Sequence, residues 1–227
     1  QDALEACRDM ADGDNRPKSW DIDGRWRGGL GVALALQGSG VANVDVASVE
    51  IRLGDDGCYT LYTGSSDMGM GANTVLTQMA CEVLECPIED MNVYESDTDV
   101  VPFDPGSYAS STTYVTGTAA RMAAQDLRKK IVASFAKFFN VPEDQVEFDG
   151  LEGYTKDGSQ RMTVKEMAPK LLVGTGSNQL SGFATWGSDI SPSPFMVTIA
   201  EVKVDTQTGR VVPVNTYNVV DCGTVVN

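Results

Sequence analysis

Histidine is absent from the 227-residue chain. That excludes a Ser-His-Asp triad and any histidine-ligated metal site built from this chain alone. Long apolar runs are missing too: nowhere do eighteen apolar residues follow one another, so no membrane-spanning helix is expected. No basic segment followed by an apolar one opens the sequence, so no export signal is read. Basic residues are scarce, 17 Lys and Arg against 32 Asp and Glu, and the net charge is −15. Such a surface repels phosphate backbones and anionic headgroups, so neither nucleic acid nor a membrane surface is expected as a partner. Cysteine is sparse and scattered, at Cys7, Cys58, Cys81, Cys86 and Cys222. Without metal-site spacing these read as reduced thiols of a cytoplasmic protein. Cys81 and Cys86 stand five apart, which one helical turn does not align, so neither a zinc nor an iron–sulfur site is expected there. The first residue is Gln1 rather than Met, which leads us to expect a piece of a longer polypeptide.

What is present suffices for a core, since 42% of the residues are hydrophobic. Leu4, Cys7 and Met10 at helical spacing predict a short helix over residues 1–10, followed by a polar connector reaching residue 26. Residues 28–37 are a glycine-opened apolar run of a length that suits a buried strand. Residues 44–53 alternate at period two, and 58–63 follow after Gly-Asp-Asp-Gly, which predicts a hairpin. Val75, Leu76, Met79, Val83 and Leu84 then fall on one helical face within 73–86, and Pro87 stops that helix. A strand over 91–95, a long alanine-rich helix over 112–140, a hairpin within 145–160 and a short helix over 163–172 follow. Residues 174–194, rich in Gly, Ser and Thr, read as a loop. Segments 196–204 and 210–220 flank Asp205-Thr206-Gln207-Thr208-Gly209 as a last hairpin. The predicted class is α+β in two layers, with mixed or antiparallel sheets and one long helix.

Two segments carry more than connection requires. Residues 63–74 leave a strand, pass through Gly64, Gly69 and Gly71, and enter a helix. Glycines admit close backbone approach, and a helix start offers outward N–H groups with partial positive charge. That suits an anionic or carbonyl-rich ligand as well as a bare tight turn. The spacing is neither a P-loop nor a dinucleotide fingerprint. In residues 102–113, the hydroxyls of Ser107, Tyr108, Ser110, Ser111 and Thr112 crowd a second helix start. Ser111 or Thr112 is the expected N-cap. The remaining hydroxyls fit either a polar loop or a phosphate site made without Lys or Arg.

In order and spacing these segments resemble the molybdenum hydroxylases, the family of xanthine dehydrogenase and aldehyde oxidoreductase. The matching parts are Arg27-Gly28-Gly29-Leu30-Gly31, Ser66-Asp67-Met68-Gly69-Met70-Gly71, and Asp97-Thr98-Asp99-Val100-Val101-Pro102 running into Gly106-Ser107-Tyr108-Ala109-Ser110. Near the end stand Ala200-Glu201-Val202-Lys203-Val204-Asp205, Thr208-Gly209 and Val220-Asp221-Cys222-Gly223. The resemblance implies that residues 27–227 are part of the second molybdenum-cofactor-binding domain of a large subunit. It implies molybdopterin with molybdenum as cofactor, in the plain or the cytosine dinucleotide form. FAD and iron–sulfur clusters would sit in partner domains or subunits. A preceding molybdenum-binding domain and a downstream segment would complete the cleft for a small-molecule substrate.

Carried onto this sequence, Met68, Gly69, Met70 and Gly71 would lie by the pterin and metal end of the cofactor. Tyr108, Ala109, Ser110, Ser111 and Thr112 would lie over the metal's ligand sphere and around the pterin phosphate. Met70 departs from the family's usual glutamine, and Ser111 stands where many bacterial members have arginine. The family's active-site glutamate falls beyond Asn227, so no catalytic base and no metal ligand is assigned here. The implied parent oxidatively hydroxylates a purine-like heterocycle or an aldehyde with oxygen from water, and the isolated fragment is expected to be inactive. Met70 and the missing histidines motivate an alternative, a scaffold or interaction domain that kept the fold without the site. A binding module for an unrelated small molecule is a third reading.

Overall fold

The computed structural model describes residues 2–173 and 177–226. In chain order its elements are α1 (Asp2–Met10), β1 (Ser19–Asp21), β2 (Trp26–Leu36), β3 (Val46–Leu53), β4 (Tyr59–Thr63), α2 (Ala72–Leu84) and β5 (Met91–Glu95). There follow α3 (Val115–Phe139), β6 (Val146–Phe148), β7 (Glu152–Thr155), β8 (Arg161–Thr163), α4 (Val164–Leu171), β9 (Ser181–Gly187), β10 (Phe195–Asp205) and β11 (Val211–Asp221). The class is α+β, as expected. The chain divides into two compact units, one of residues up to Gly38 with Pro192–Val225, the other Ser39–Ser191.

The first unit is an antiparallel sheet in the order β1-β2-β10-β11. Helix α1 covers Val197 and Ile199 with Cys7 and Ala11, and the Cys7 thiol donates to the Val197 and Tyr217 carbonyls. The predicted C-terminal hairpin is β10–β11, with a register shift at Glu201/Val202. Two ion pairs fasten the connector: Arg16 to Glu201 at 2.7 Å, and Arg25 to Asp205 at 2.6 Å. The apolar run 28–37 is a strand, β2, but it is not buried as expected. Val32, Leu34 and Leu36 are 59%, 58% and 67% exposed. Its continuous apolar character matches a strand covered on both faces, whereas within this unit α1 reaches only as far as Leu30.

In the second unit a mixed sheet, β5-β4-β3-β9, packs against α2 and α3. The hairpin β3–β4 is antiparallel with Leu53 opposite Tyr59, and β4–β5 is parallel with Thr63 opposite Glu95. Period-two alternation in β3 and β4 sends Val49, Ile51, Leu53, Tyr59 and Leu61 into the core. Helix α3 brings four fully buried alanines, Ala119, Ala120, Ala123 and Ala124, so it lies close to its neighbours. Leu127, Ile131 and Phe135 follow on that face, each fully buried and each contributing about 1.5–3 kcal/mol by leaving water. A small antiparallel sheet, β6-β7-β8, contains the hairpin expected within 145–160. Thr163 and Glu166 close a capping box at the start of α4.

The stretch 174–194, read as a loop, contains β9, which pairs antiparallel with β3. Its inward residues are Gly182 and Ala184, too small to register as an apolar period although they fit closely beneath α3. Residues 174–176 of that stretch lie outside the described residues.

Candidate functional site

Because β4 and β5 run parallel, the two segments singled out in the sequence leave the same ends of neighbouring strands. Residues 64–71 lead from β4 into α2, and residues 96–114 lead from β5 towards α3. The crevice at the carboxyl ends of parallel strands is where open sheets bind ligands. The segments are in direct contact. The Ser66 amide donates to Ser107 Oγ at 3.1 Å, and that hydroxyl donates back to the Ser66 carbonyl at 2.6 Å. Ser96 Oγ donates to Ser66 Oγ at 3.0 Å. A Cβ on Gly64 would come 2.8 Å from the Asp104 Cβ and 2.9 Å from the Pro102 carbonyl, so only glycine admits this approach. Asp104 accepts from the Gly106 amide and from Thr116 Oγ1, both at 2.8 Å, which ties the joined loops to the first turn of α3.

The start of α2 is already charged from within. Asp67 accepts from the amides of Gly69 (2.8 Å), Gly71 (3.2 Å) and Asn73 (3.2 Å). Those amide bonds, the Gly69 bond foremost, hold its carboxyl below the usual range. Its own amide donates to Glu95 Oε2 at 3.0 Å. Asp67 thus holds the turn that leads into α2, and Glu95 holds Asp67. The expectation that this helix start offers free N–H groups to an anion is corrected: Asp67 occupies that position, and a second anion would meet its charge. Gly69 and Gly71 have φ of 100° and 78°, and a Cβ on either would meet no atom within 4 Å. Space is open above the turn, where Met68 and Met70 project, 71% and 50% exposed. Met70 Sδ accepts from the Met68 amide at 3.2 Å. Asn73 Oδ1 is buried with no partner.

The start of α3 is built differently. Its N-cap is Tyr114, and no side chain caps the helix, so the expected cap at Ser111 or Thr112 is corrected. Ala109 and Ser110 are both left-handed, φ 48° and 56°, and this turn points Ser111 backwards. Ser111 Oγ donates to the Tyr108 carbonyl at 2.8 Å rather than accepting from the helix. Consecutive left-handed non-glycine residues are strained and persist only where the surroundings fix them. Here a third segment does so. The Gly40 amide donates to the Ala109 carbonyl at 2.9 Å, and the Tyr108 phenol donates to Asp45. Asp45 is buried and accepts from the Val41 amide at 2.7 Å. The bond to Asp45 raises the phenol's pKa, which keeps it neutral.

All nine predicted contact residues thus lie on two loops that touch each other. Sequence reasoning missed Asp45 and Asp104, which hold those loops; no local pattern marks either one. Ser107 was counted only as one hydroxyl among five, although its two bonds join the segments. The cleft lined by Gln125, Arg128 and Glu143 runs along the middle of α3 and includes neither loop. Among the described residues no three His, Cys, Asp or Glu side chains gather as metal ligands.

A sequence profile of the molybdopterin cofactor-binding domain matches residues 6–227. The chain is 39% identical over 208 residues to a probable hypoxanthine oxidase, XdhD, of Escherichia coli strain K12, covering 90% of this chain and 21% of the relative. It is 30% identical over 220 residues to the same organism's putative xanthine dehydrogenase molybdenum-binding subunit XdhA, covering 93% and 29%. The fold superposes on quinoline 2-oxidoreductase from Pseudomonas putida 86 with a TM-score of 0.75 at 20% identity, over 99% of this chain and 30% of that one. The chain belongs to the molybdopterin cofactor-binding domain family of the molybdenum hydroxylases, and it spans 21–29% of the length of these curated relatives.

Proposed function

We propose that this chain forms one wall of the cofactor cleft in a longer molybdenum hydroxylase acting on a purine-like heterocycle or an aldehyde. Three features fit the cofactor. A left-handed turn at Ala109 and Ser110 leads into a helix start that no side chain caps, its Val115 and Gly117 amides bonding to the Ser111 and Thr112 carbonyls. Open space lies over Gly69 and Gly71, and a buried amide oxygen on Asn73 has no partner. Tyr108, Ala109, Ser110, Ser111 and Thr112 would hold the pterin phosphate, because backbone N–H groups and hydroxyls there suit an anion. Met68, Gly69, Met70 and Gly71 would pack against the uncharged pterin face, since Asp67 makes that turn unsuited to phosphate. The bound cofactor supplies the redox chemistry and the hydroxylation with oxygen from water.

The residues of this chain bind and orient. Asp45 and Asp104 keep the phosphate turn in its strained shape, and Ser107 locks it to the methionine-bearing turn. The relatives' names, hypoxanthine oxidase and xanthine dehydrogenase, support the purine-like class. The same kinship supports the cofactor's plain or cytosine dinucleotide form, and FAD and iron–sulfur partners. A preceding molybdenum-binding domain and a downstream segment would supply the other wall. The five free cysteines support a cytoplasmic setting.

The observation that carries this reading is the left-handed turn at Ala109 and Ser110, restrained from Gly40 and Asp45, that leads into α3. The test is metal and pterin analysis of the full-length parent from a molybdenum-sufficient host. Near-stoichiometric molybdenum and pterin are expected there, and little of either in the isolated 227-residue chain, because half a cleft cannot enclose the ligand. A parent devoid of both would overturn the reading in favour of a scaffold.

A further inference from the structure

Cys81 and Cys86 lie on the opposite end of α2 from the site described above. Five positions of helix would turn them away from each other, but the helix does not continue that far. Glu85 is left-handed, φ 57°, and its amide bonds to the Cys81 carbonyl. The Cys86 amide reaches the same carbonyl at 3.3 Å. This closure combines the αL bond with the 6→1 bond of a Schellman motif, the arrangement that brings the side chains at its two ends together. The chain therefore folds Cys86 back onto Cys81, which helical spacing alone would not do.

The pair is held before any bond forms between the sulfurs. Arg128 donates to the Val83 carbonyl at 3.0 Å and to the Glu85 carboxylate at 2.9 Å. On the other side Gly150 sits so close that a Cβ there would come 1.8 Å from the Glu85 carbonyl oxygen. The Cys81 thiol, 7% exposed, faces the Pro87 carbonyl at 3.9 Å, while Cys86 is half-buried and open to small reagents. Beside them the Tyr59 hydroxyl is buried without a partner.

We infer that Cys81 and Cys86 form a redox-active dithiol, a modification site that a peroxide converts to a disulfide capping α2. Both S–H bonds break and one S–S bond forms, and the two thiols give up two electrons and two protons. The peroxide O–O bond breaks and takes them up, so hydrogen peroxide leaves as two waters. The first sulfur to react passes through a sulfenic acid that the second resolves. The electrostatics agree with the geometry. The hydrogen bond from Cys86 lowers the Cys81 thiol's pKa, and the same contact together with burial raises that of Cys86, so one thiolate is favoured and a second suppressed. Burial, with the two sulfurs next to it, keeps the Tyr59 phenol protonated.

The sequence between the sulfurs provides a direct assay. A glutamate-specific protease cuts after Glu82 and Glu85, so the two halves stay joined only when Cys81 is bonded to Cys86. The folded 227-residue chain is treated with hydrogen peroxide, its remaining thiols are alkylated, and the digest is weighed. The joined peptide is expected, with loss of two alkylatable thiols, and equally so in a Cys58→Ser/Cys222→Ser variant. In glutathione buffers the folded disulfide should persist at a ratio at least about 10-fold more reducing than in the urea-unfolded chain, because the fold pre-aligns the sulfurs. If the joined peptide is absent while Cys222 is oxidised, the inference is wrong. Equal persistence in folded and unfolded chains would also overturn it, since that reports short sequence separation alone. Both measurements use the unmutated cysteine pair, so neither depends on whether Cys81→Ser or Cys86→Ser folds.

Discussion

Replacing Gly182 by alanine tests how α3, and with it the proposed phosphate turn, is seated on the sheet. Gly182 lies in β9 opposite Ile51. An added Cβ would stand 2.1 Å from the Ala123 carbonyl oxygen, 2.6 Å from the Leu127 amide nitrogen and 2.7 Å from the Leu127 Cβ. Two of the three obstacles are helix backbone, which has no rotamer to change. Reaching ordinary contact near 3.4 Å requires strand and helix to separate by about 1.3 Å. The separation would occur where Leu127, Ile131 and Phe135 are fully buried, so it loosens their packing as well. Overpacking a well-filled core costs about 1–3 kcal/mol, and rigid backbone on both sides puts this case at the upper end, about 3 kcal/mol. For a unit of this size that lowers the melting temperature by about 6–12 °C. Calorimetry of the 227-residue chain reads it directly, following the transition that includes Ser39–Ser191. Gly31→Ala is the control: a Cβ there meets nothing within 4 Å, and the change should be near neutral or slightly stabilising. A Gly182→Ala transition within 2 °C of the parent chain's (a cost below about 1 kcal/mol) would refute the claim that α3 is seated by backbone contact.

Other expectations follow from the loops and from the acids. Met70→Gln should leave stability within about 0.5 kcal/mol, because the side chain is 50% exposed and fills no core; in the full-length parent, turnover should be kept or raised, and thermal melting with turnover on the same pair checks both. Ser110→Ala together with Thr112→Ala in the parent should weaken cofactor retention by about 100- to 10,000-fold, the effect of losing two hydrogen bonds to a charged phosphate at about 1.5–3 kcal/mol each; unchanged molybdenum content with a lowered melting temperature would mean the hydroxyls serve only the fold. Asp157 is held at about 2, below its ordinary 3.8, by the Ser159 amide first and then the Thr155 and Ser159 hydroxyls. Asp67, Asp149, Glu166 and Asp205 are lowered as well. A lowered carboxyl adds stability above its unfolded pKa and loses it as pH falls through the folded value, so melting temperature should drop between about pH 5 and pH 2. Asp157→Asn should flatten the lower part of that curve, and a pH-independent melt over the same window would contradict the bonding described for these acids.

What could be read from the sequence was whatever repeats with a period or breaks one. Alternation in 44–53 gave β3, the 3.6-residue stripe through Val75, Leu76, Met79 and Val83 gave α2, and Asp205-Thr206-Gln207-Thr208-Gly209 gave the turn between β10 and β11. Strand β9 escaped because its inward residues, Gly182 and Ala184, signal closeness to α3 by smallness rather than by hydrophobicity. Strand β2 misled in the opposite sense, since an unbroken apolar run looks doubly covered whether or not the cover belongs to the same unit. The parallel pairing of β4 with β5 was available in the order strand, helix, strand, and it matters most, because it delivers both loops to one end of the sheet.

The loops themselves were legible, but not their division of labour. Two glycine- and hydroxyl-rich helix starts look alike in sequence as anion sites. They differ because a carboxylate four residues before the N-cap of α2, Asp67, turns inward onto its amides, while Ser111 before α3 reaches back to the Tyr108 carbonyl. No propensity distinguishes a side chain that caps from one that reaches back to Tyr108. The left-handed pair Ala109–Ser110 decides that, and it is fixed from residues 40 and 45, more than sixty positions upstream. The charge that a helix start can still accept is therefore a tertiary property, and on it rests the proposal that the phosphate lies at α3 and the neutral ring system at the methionine turn.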